Sequence, residues 1–312
     1  MKLHRTGSAR LCVAALTFTV TLTVTLMLML GGCQNRSPAP VSVDDAATEA
    51  IVAAILRRDT VLFGEVHDNP AQHALRAQIV ERALAAGARP ALAFEQFDRA
   101  LQPRIDSALA ARPKSSQGFL DTLFPGDSKP KGWQWPLYTP LIDLALAHGL
   151  PIIAANLSRA DAIKVSMTGL GSAFDVDALK ALGLDRDIAA SVRDEQRRAI
   201  KDGHCNALAD DGVNAMATAQ LARDAVLAAS LRGSNGRGVI LFAGNGHTRR
   251  DVGVGYWLPA GQRFTSVGLL ERGESVSNVS AKFDIVVTTD PHPRADPCIA
   301  FRSRAPTNKA TN

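Results

Sequence analysis

Four short apolar runs, each closed by polar side chains able to bind or react, constrain the fold of this chain more than any other feature. Thr60-Val-Leu-Phe63 leads into Gly64-Glu65-Val66-His67-Asp68-Asn69-Pro70, and Arg89-Pro-Ala-Leu-Ala-Phe94 into Glu95-Gln96. Leu150-Pro-Ile-Ile-Ala-Ala155 leads into Asn156-Leu-Ser-Arg159, and Gly238-Val-Ile-Leu-Phe-Ala243 into Gly244-Asn245-Gly246-His247. Thr60–Phe63 is β-branched and aromatic without charge and reads as a buried strand, and the other three runs are apolar cores of the same length class. After the first, Leu75, Ile79 and Ala83 recur at helical spacing; Pro70 suits the first turn, with Asp68 or Asn69 as its cap, and Gly87 marks the stop. Strand, polar turn and helix, repeated, predict an α/β fold with a mostly parallel central sheet flanked by helices. Ligands bind such sheets outside the carboxyl ends of the strands. Glu65, His67, Glu95, Asn156, Arg159, Asn245 and His247 are therefore expected at one site. If the first strand stays extended, Glu65 and His67 point the same way.

The remaining segments are read around those strands. Helices are expected over Asp44–Arg58, Phe97–Ala111, Leu141–His148 and Val213–Leu231, with Arg112–Gly132 as an ordered loop or lid. Between residues 161 and 200 helical patterns are broken at Gly169, Gly171 and Gly183, which predicts a helical cap insertion. Arg263–Leu270 and Phe283–Thr289 read as two later strands. His148 in a last turn complements the helix dipole. His73 either reaches the site or is structural; Arg223 and Asp224 either pair with each other or reach the strand ends from beneath.

The first residues carry an address. Lys2, Arg5 and Arg10 precede the 20 charge-free residues Leu11–Leu30, and Leu30-Gly31-Gly32-Cys33 follows. That is the layout of a secretory signal, and its end resembles the bacterial lipobox, in which the cysteine is lipidated. A permanent signal anchor is the competing reading, because about 20 apolar residues span a bilayer. Gln34 in place of an aspartate implies outer-membrane anchoring on the periplasmic face. The expected organisation is a signal peptide over 1–32, a tether over 33–43 beginning at the lipidated Cys33, a domain over 44–290 and a polar tail over 291–312. The full chain holds 35 basic and 30 acidic residues; losing the three in the leader leaves 32 against 30, or +2, so no nucleic-acid face is indicated. With Cys12 in the leader and Cys33 lipidated, Cys205 and Cys298 remain, and an exported pair most simply forms a disulfide.

Glu65, His67, Glu95 and His247 form a mixed imidazole and carboxylate set that suits a divalent metal such as zinc, manganese or iron. The same groups could activate water by general-base catalysis. The chain has no Gly-rich dinucleotide fingerprint, P-loop or Gly-x-Ser-x-Gly elbow. It also lacks Cys-x-x-Cys-His, which excludes covalent c-type haem attachment. Trp133 and Trp135 read as surface-to-core anchors. Tyr138 beside them offers a phenolate that can be an axial ligand of haem iron.

Taken in order, Gly64 to Pro70, Phe94-Glu95-Gln96, Trp135 with Tyr138 and Pro140, Ile153 to Arg159, Ala222-Arg223-Asp224 and Ala243 to His247 resemble the ChaN-type, iron-regulated lipoproteins of the haem-binding uptake/Tiki superfamily. The resemblance covers about residues 45–275. It implies a lipid-anchored protein of bacterial haem or iron acquisition, a non-covalent b-type haem or an iron compound as ligand, and haem shared across a homodimer. A tyrosine is the ligand type it implies: Tyr138 first, with Tyr256 the only other tyrosine. Gln72-His73 departs from the His-His pair of many relatives. Related Tiki and TraB proteins include proposed metal-dependent peptidases. The alternative function is therefore a metal-dependent hydrolase using Glu65, His67, Glu95 and His247, with Asn156 and Arg159 orienting substrate.

Overall fold

The computed structural model describes residues 45–126, 128–232, 236–274, 279–296 and 298–299. The expected signal peptide, Cys33 and the tether lie outside the described residues, as does most of the tail. Helix α1 (Asp45–Leu56) precedes strand β1 (Thr60–Phe63), and α2 (Pro70–Ala85) leads to β2 (Ala91–Asp98). Helices α3 (Gln102–Ala110), α4 (Ser116–Leu123) and α5 (Thr139–His148) lead to β3 (Ile152–Asn156). Four helices follow: α6 (Arg159–Thr168), α7 (Val176–Leu182), α8 (Ala190–Gly203) and the long α9 (Asp210–Ser230). Strand β4 (Val239–Phe242), short helices α10 (Asn245–Thr248) and α11 (Val254–Trp257), β5 (Phe264–Glu271), α12 (Val279–Lys282) and β6 (Ile285–Thr289) complete the described chain.

The six strands form one parallel sheet in the order β3-β2-β4-β1-β5-β6. Side chains alternate across it, so the sheet builds two cores. Val61, Phe63, Leu92, Phe94, Ile240 and Phe242 pack against α1 to α5 on one face, and Leu62, Ala93, Leu241 and Ala243 against α6 to α9 on the other. This is the predicted α/β architecture, including the helical insertion before the long helix. Phe242 pairs in register with both Phe63 and Phe94, and its ring centroid stands 6.2 Å and 5.3 Å from theirs. Three aromatic rings thus lie at one level just below the carboxyl ends of adjacent strands.

Two segments differ from the sequence reading. The helix expected from Phe97 begins at Gln102, because β2 continues to Asp98, which pairs with Asn156. Pro103 then occupies the first turn, where its missing N–H costs nothing. The expected loop over Arg112–Gly132 contains α4, capped by Ser115 and burying Phe119, Leu120 and Leu123. Ser115-Ser116 is both a turn signal and a helix cap, and the buried stripe decides between them.

Cys205 and Cys298 have Cα atoms 5.6 Å apart across 93 residues of sequence, within the range a disulfide spans. Among the described residues no helix is long and apolar enough to cross a membrane.

Candidate functional site

The first turn is built around Glu65. Gly64 lets the chain leave β1 here, since a Cβ at this position would collide with Asn245 Oδ1 and sit 2.7 Å from the Val267 carbonyl. Asn69 then caps α2, its side chain accepting from the N–H groups of Ala71 and Gln72. The Glu65 side chain is fully buried. Its Oε1 accepts from the Tyr138 hydroxyl at 2.8 Å and from His67 Nδ1–H at 2.5 Å, while Oε2 pairs with the equally buried Arg76 guanidinium. Burial alone would raise the Glu65 pKa, but Arg76 and the His67 bond outweigh it and hold it at about 2. β1 pairing ends at Phe63, so Glu65 and His67 meet through this hydrogen bond rather than through strand alternation.

His67 is the exposed member of the group, with 45% of its side chain accessible. Its ring stands edge-on to Trp133, centroids 4.9 Å apart. With Nδ1–H given to Glu65, the neutral ring keeps its lone pair on Nε2. A carboxylate behind a ligating histidine fixes the tautomer in this way. Burial lowers the His67 pKa, but the hydrogen bond to Glu65 and the nearby Glu95 raise it above its ordinary value overall. Gly244 leaves room on that side: a Cβ there would come within 3.0 Å of His67 Nε2.

Beneath His67 lies a structural shell. Arg76 donates to His73 Nδ1 at 2.7 Å, and His73 Nε2–H donates to the His67 carbonyl at 3.0 Å. Burial and Arg76 pull the His73 pKa down to about 4, so its ring is neutral. Gln72 accepts from the Val66 N–H at 2.6 Å. His73 is therefore a support of the turn, the structural branch of the two sequence readings.

A second group comes from β2, α9 and the turn after β4. His247 Nδ1–H donates to the fully buried Asp224 at 2.6 Å, and Nε2 lies 3.5 Å from Glu95 Oε1. Glu95 Oε2 accepts from the Gly244 N–H at 2.8 Å. Burial would lower the His247 pKa, but Glu95 and Asp224 raise it overall. Asn156 donates to the Glu95 carbonyl and accepts from Arg223, each at 2.7 Å. Arg223 and Asp224 thus act from beneath the strand ends: one holds Asn156, the other His247.

These groups open on a cavity of about 850 Å³, within the usual size of ligand sites. His67, Glu95, Asn156, Arg159 and His247 line it, as the strand-end pattern predicts. Gln96, Asp98, Lys131, Trp133, Gln220 and Arg223 complete its polar and aromatic wall.

Three expected site residues stand elsewhere. Tyr138, the first choice for an iron ligand, is fully buried with its hydroxyl on Glu65, and it does not line the cavity. Burial and the Glu65 charge push its pKa upward, which disfavours the phenolate that iron ligation requires. Asn245 turns from the cavity to β5, accepting from the Leu269 N–H and donating to the Leu269 carbonyl. Glu65 lies behind His67. The expected four-residue metal set is accordingly split into two hydrogen-bonded groups. Among the described residues no three His, Cys, Asp or Glu side chains are arranged to hold a metal ion. Tyr256 lies apart from the cavity, its ring under Arg186 at 5.0 Å.

Sequence reasoning missed Arg76 and Gln96. Gln72, His73 and Arg76 fall at helical spacing on the face that also carries Leu75 and Ile79, and a polar stripe inside an apolar one was the available signal. Gln96 follows Glu95 on a strand, where alternation would send it to the other face. The β2–β3 register shifts between Phe94 and Asp98, and this irregularity brings both residues to the cavity.

The family described as "Haem-binding uptake, Tiki superfamily, ChaN" matches residues 51–258, a span containing every residue that lines the cavity. The chain belongs to this family. Among solved structures it is similar to the ChaN of Campylobacter jejuni, described as showing cofacial heme binding, with 18% identity and a TM-score of 0.59. That match covers 77% of this chain and 90% of the other, and it supports the shared fold. A mutant of the erythromycin esterase EreC, in its open conformation, has 12% identity and a TM-score of 0.41, covering 79% and 80% of the two chains. The type III effector HopBA1 has 13% identity and a TM-score of 0.42, covering 83% and 100%. No curated protein matches the chain at a significant level.

Proposed function

We propose that this member of the ChaN family is a haem carrier that seats a non-covalent, b-type haem at the mouth of the strand-end cavity, with His67 Nε2 as the iron ligand. The observation that carries this reading is the Glu65–His67 pair: a half-exposed imidazole whose Nδ1–H is held by a buried carboxylate, beside the Trp133 ring at the cavity wall. Such a histidine presents a lone pair of fixed direction to a metal. Lys131 and Arg159 at the rim supply positive charge for an anionic ligand. Haem here is cargo, held and released by the protein. The C. jejuni ChaN is described as binding heme cofacially, which supports a homodimer of this chain with haem at the shared face. The leader and Cys33 support a lipid anchor in the outer membrane on the periplasmic side, within haem or iron acquisition.

Visible absorption titration of the purified protein with haemin tests this reading. Saturable binding with an imidazole-ligated spectrum is the expected result; absence of saturable binding removes the carrier. A second reading, hydrolysis, rests on the Asp224–His247–Glu95 alignment facing the same cavity, an arrangement suited to proton transfer. It requires turnover of an ester or peptide that His247→Ala abolishes.

A further inference from the structure

Gln96 is 2% exposed and lines the cavity, yet neither its amide nitrogen nor its carbonyl oxygen has a hydrogen-bond partner among the described residues. Buried side-chain amides are ordinarily satisfied, so one left open on a ligand cavity marks a place where a ligand supplies the partner. Arg159 and Lys131 also line the cavity, and neither takes part in a hydrogen bond or ion pair among the described residues. The other cation, Arg223, is committed to Asn156. Of the two carboxylates, Glu95 accepts from Gly244, and Asp98 stands near Arg223. The lining thus holds three cations, Lys131, Arg159 and Arg223, against two carboxylates, and Arg159 is the first residue of α6, whose own first-turn acid, Asp161, is paired with Lys164.

We propose that Gln96, Arg159 and Lys131 form a subsite for a carboxylate arm of the ligand, so that the cavity selects carboxylate-bearing macrocycles over their neutral esters. The inference rests on the haem-carrier reading and adds a specificity to it. The Gln96 amide N–H and the Arg159 guanidinium donate to the carboxylate, and Lys131 adds charge at the rim. No bond is made or broken, and His67 is not involved in the discrimination.

The test is titration of the full chain in detergent with haemin and with its dimethyl ester, for the unaltered protein, Gln96→Leu and Arg159→Gln. Haemin is expected to bind roughly tenfold more tightly than the diester, the scale of a hydrogen bond to a charged group. Each substitution should erase most of that preference, read as the ratio of haemin affinity to diester affinity in the same variant. Gln96→Glu, which keeps the size and adds a negative charge, should weaken haemin alone if the leucine variant fails to fold. Equal binding of haemin and diester overturns the subsite and leaves the carrier intact. A haemin preference that survives the substitutions also overturns it, because the discrimination then arises elsewhere. No saturable binding of either compound overturns both proposals.

Discussion

At the scale of single residues, Glu65 and Arg76 decide how the site is held. Both side chains are fully buried, so each is the other's compensation. Arg76→Met should destabilise the fold by about 3–5 kcal/mol, the cost of stranding one member of a buried pair, measured by urea unfolding. His73 makes a pH prediction of definite sign. Unfolded, it takes a proton near its ordinary value of 6.5; folded, it resists until about 4. Between these values the unfolded state binds more protons. The stability contributed by neutral His73 is thus full above 6.5 and falls as pH drops toward 4, by up to about 3 kcal/mol. His73→Gln should flatten that part of the stability curve, and an unchanged slope would refute the assignment. The raised values of His67 and His247 act oppositely, so the comparison between variant and parent isolates His73.

At the scale of elements, the strand-turn-helix unit from β1 to α2 is the working part. Gly64→Ala would drive a Cβ against the Asn245 side chain and the Val267 carbonyl, and a loss of roughly 1–3 kcal/mol or more in stability is expected from overpacking. Asn69→Ala removes the cap of α2 and a bond to Glu271, an expected loss of about 0.5–2 kcal/mol from the cap alone. Much of this unit was legible, because each of the four apolar runs is followed within a few residues by polar side chains able to bind or react. The strands, a helix cap at Asp68 or Asn69 and the convergence of His67, Glu95, Asn156, Arg159 and His247 follow from that pattern; the structure chooses Asn69. The depth of Tyr138 does not. Its motif places it near the site, but whether the hydroxyl faces ligand or carboxylate depends on Glu65, 73 residues away in sequence. Asn245 misled for a similar reason: a turn amide reads as a ligand group until β5 is seen to offer it a backbone carbonyl and N–H.

At the scale of the whole molecule, parallel topology explains why one pole carries the chemistry. Strands β3, β2, β4 and β1 are neighbours, and all deliver their carboxyl ends to one edge of the sheet. The register shift in β2 and the buried Arg76 stripe depend on tertiary packing and leave little trace in local pattern. The Cys205–Cys298 contact spans 93 residues, so preventing a disulfide there with Cys298→Ser should cost about 2–4 kcal/mol, read as a lower midpoint in denaturant under oxidising conditions. The organisation of the site around His67, with Tyr138 behind it, is tested most directly by haemin titration of His67→Ala against Tyr138→Phe. His67→Ala is expected to lose saturable binding, whereas Tyr138→Phe should retain an imidazole-ligated spectrum in a less stable protein. Loss of binding in Tyr138→Phe, with a tyrosinate-type spectrum persisting in His67→Ala, would contradict that organisation.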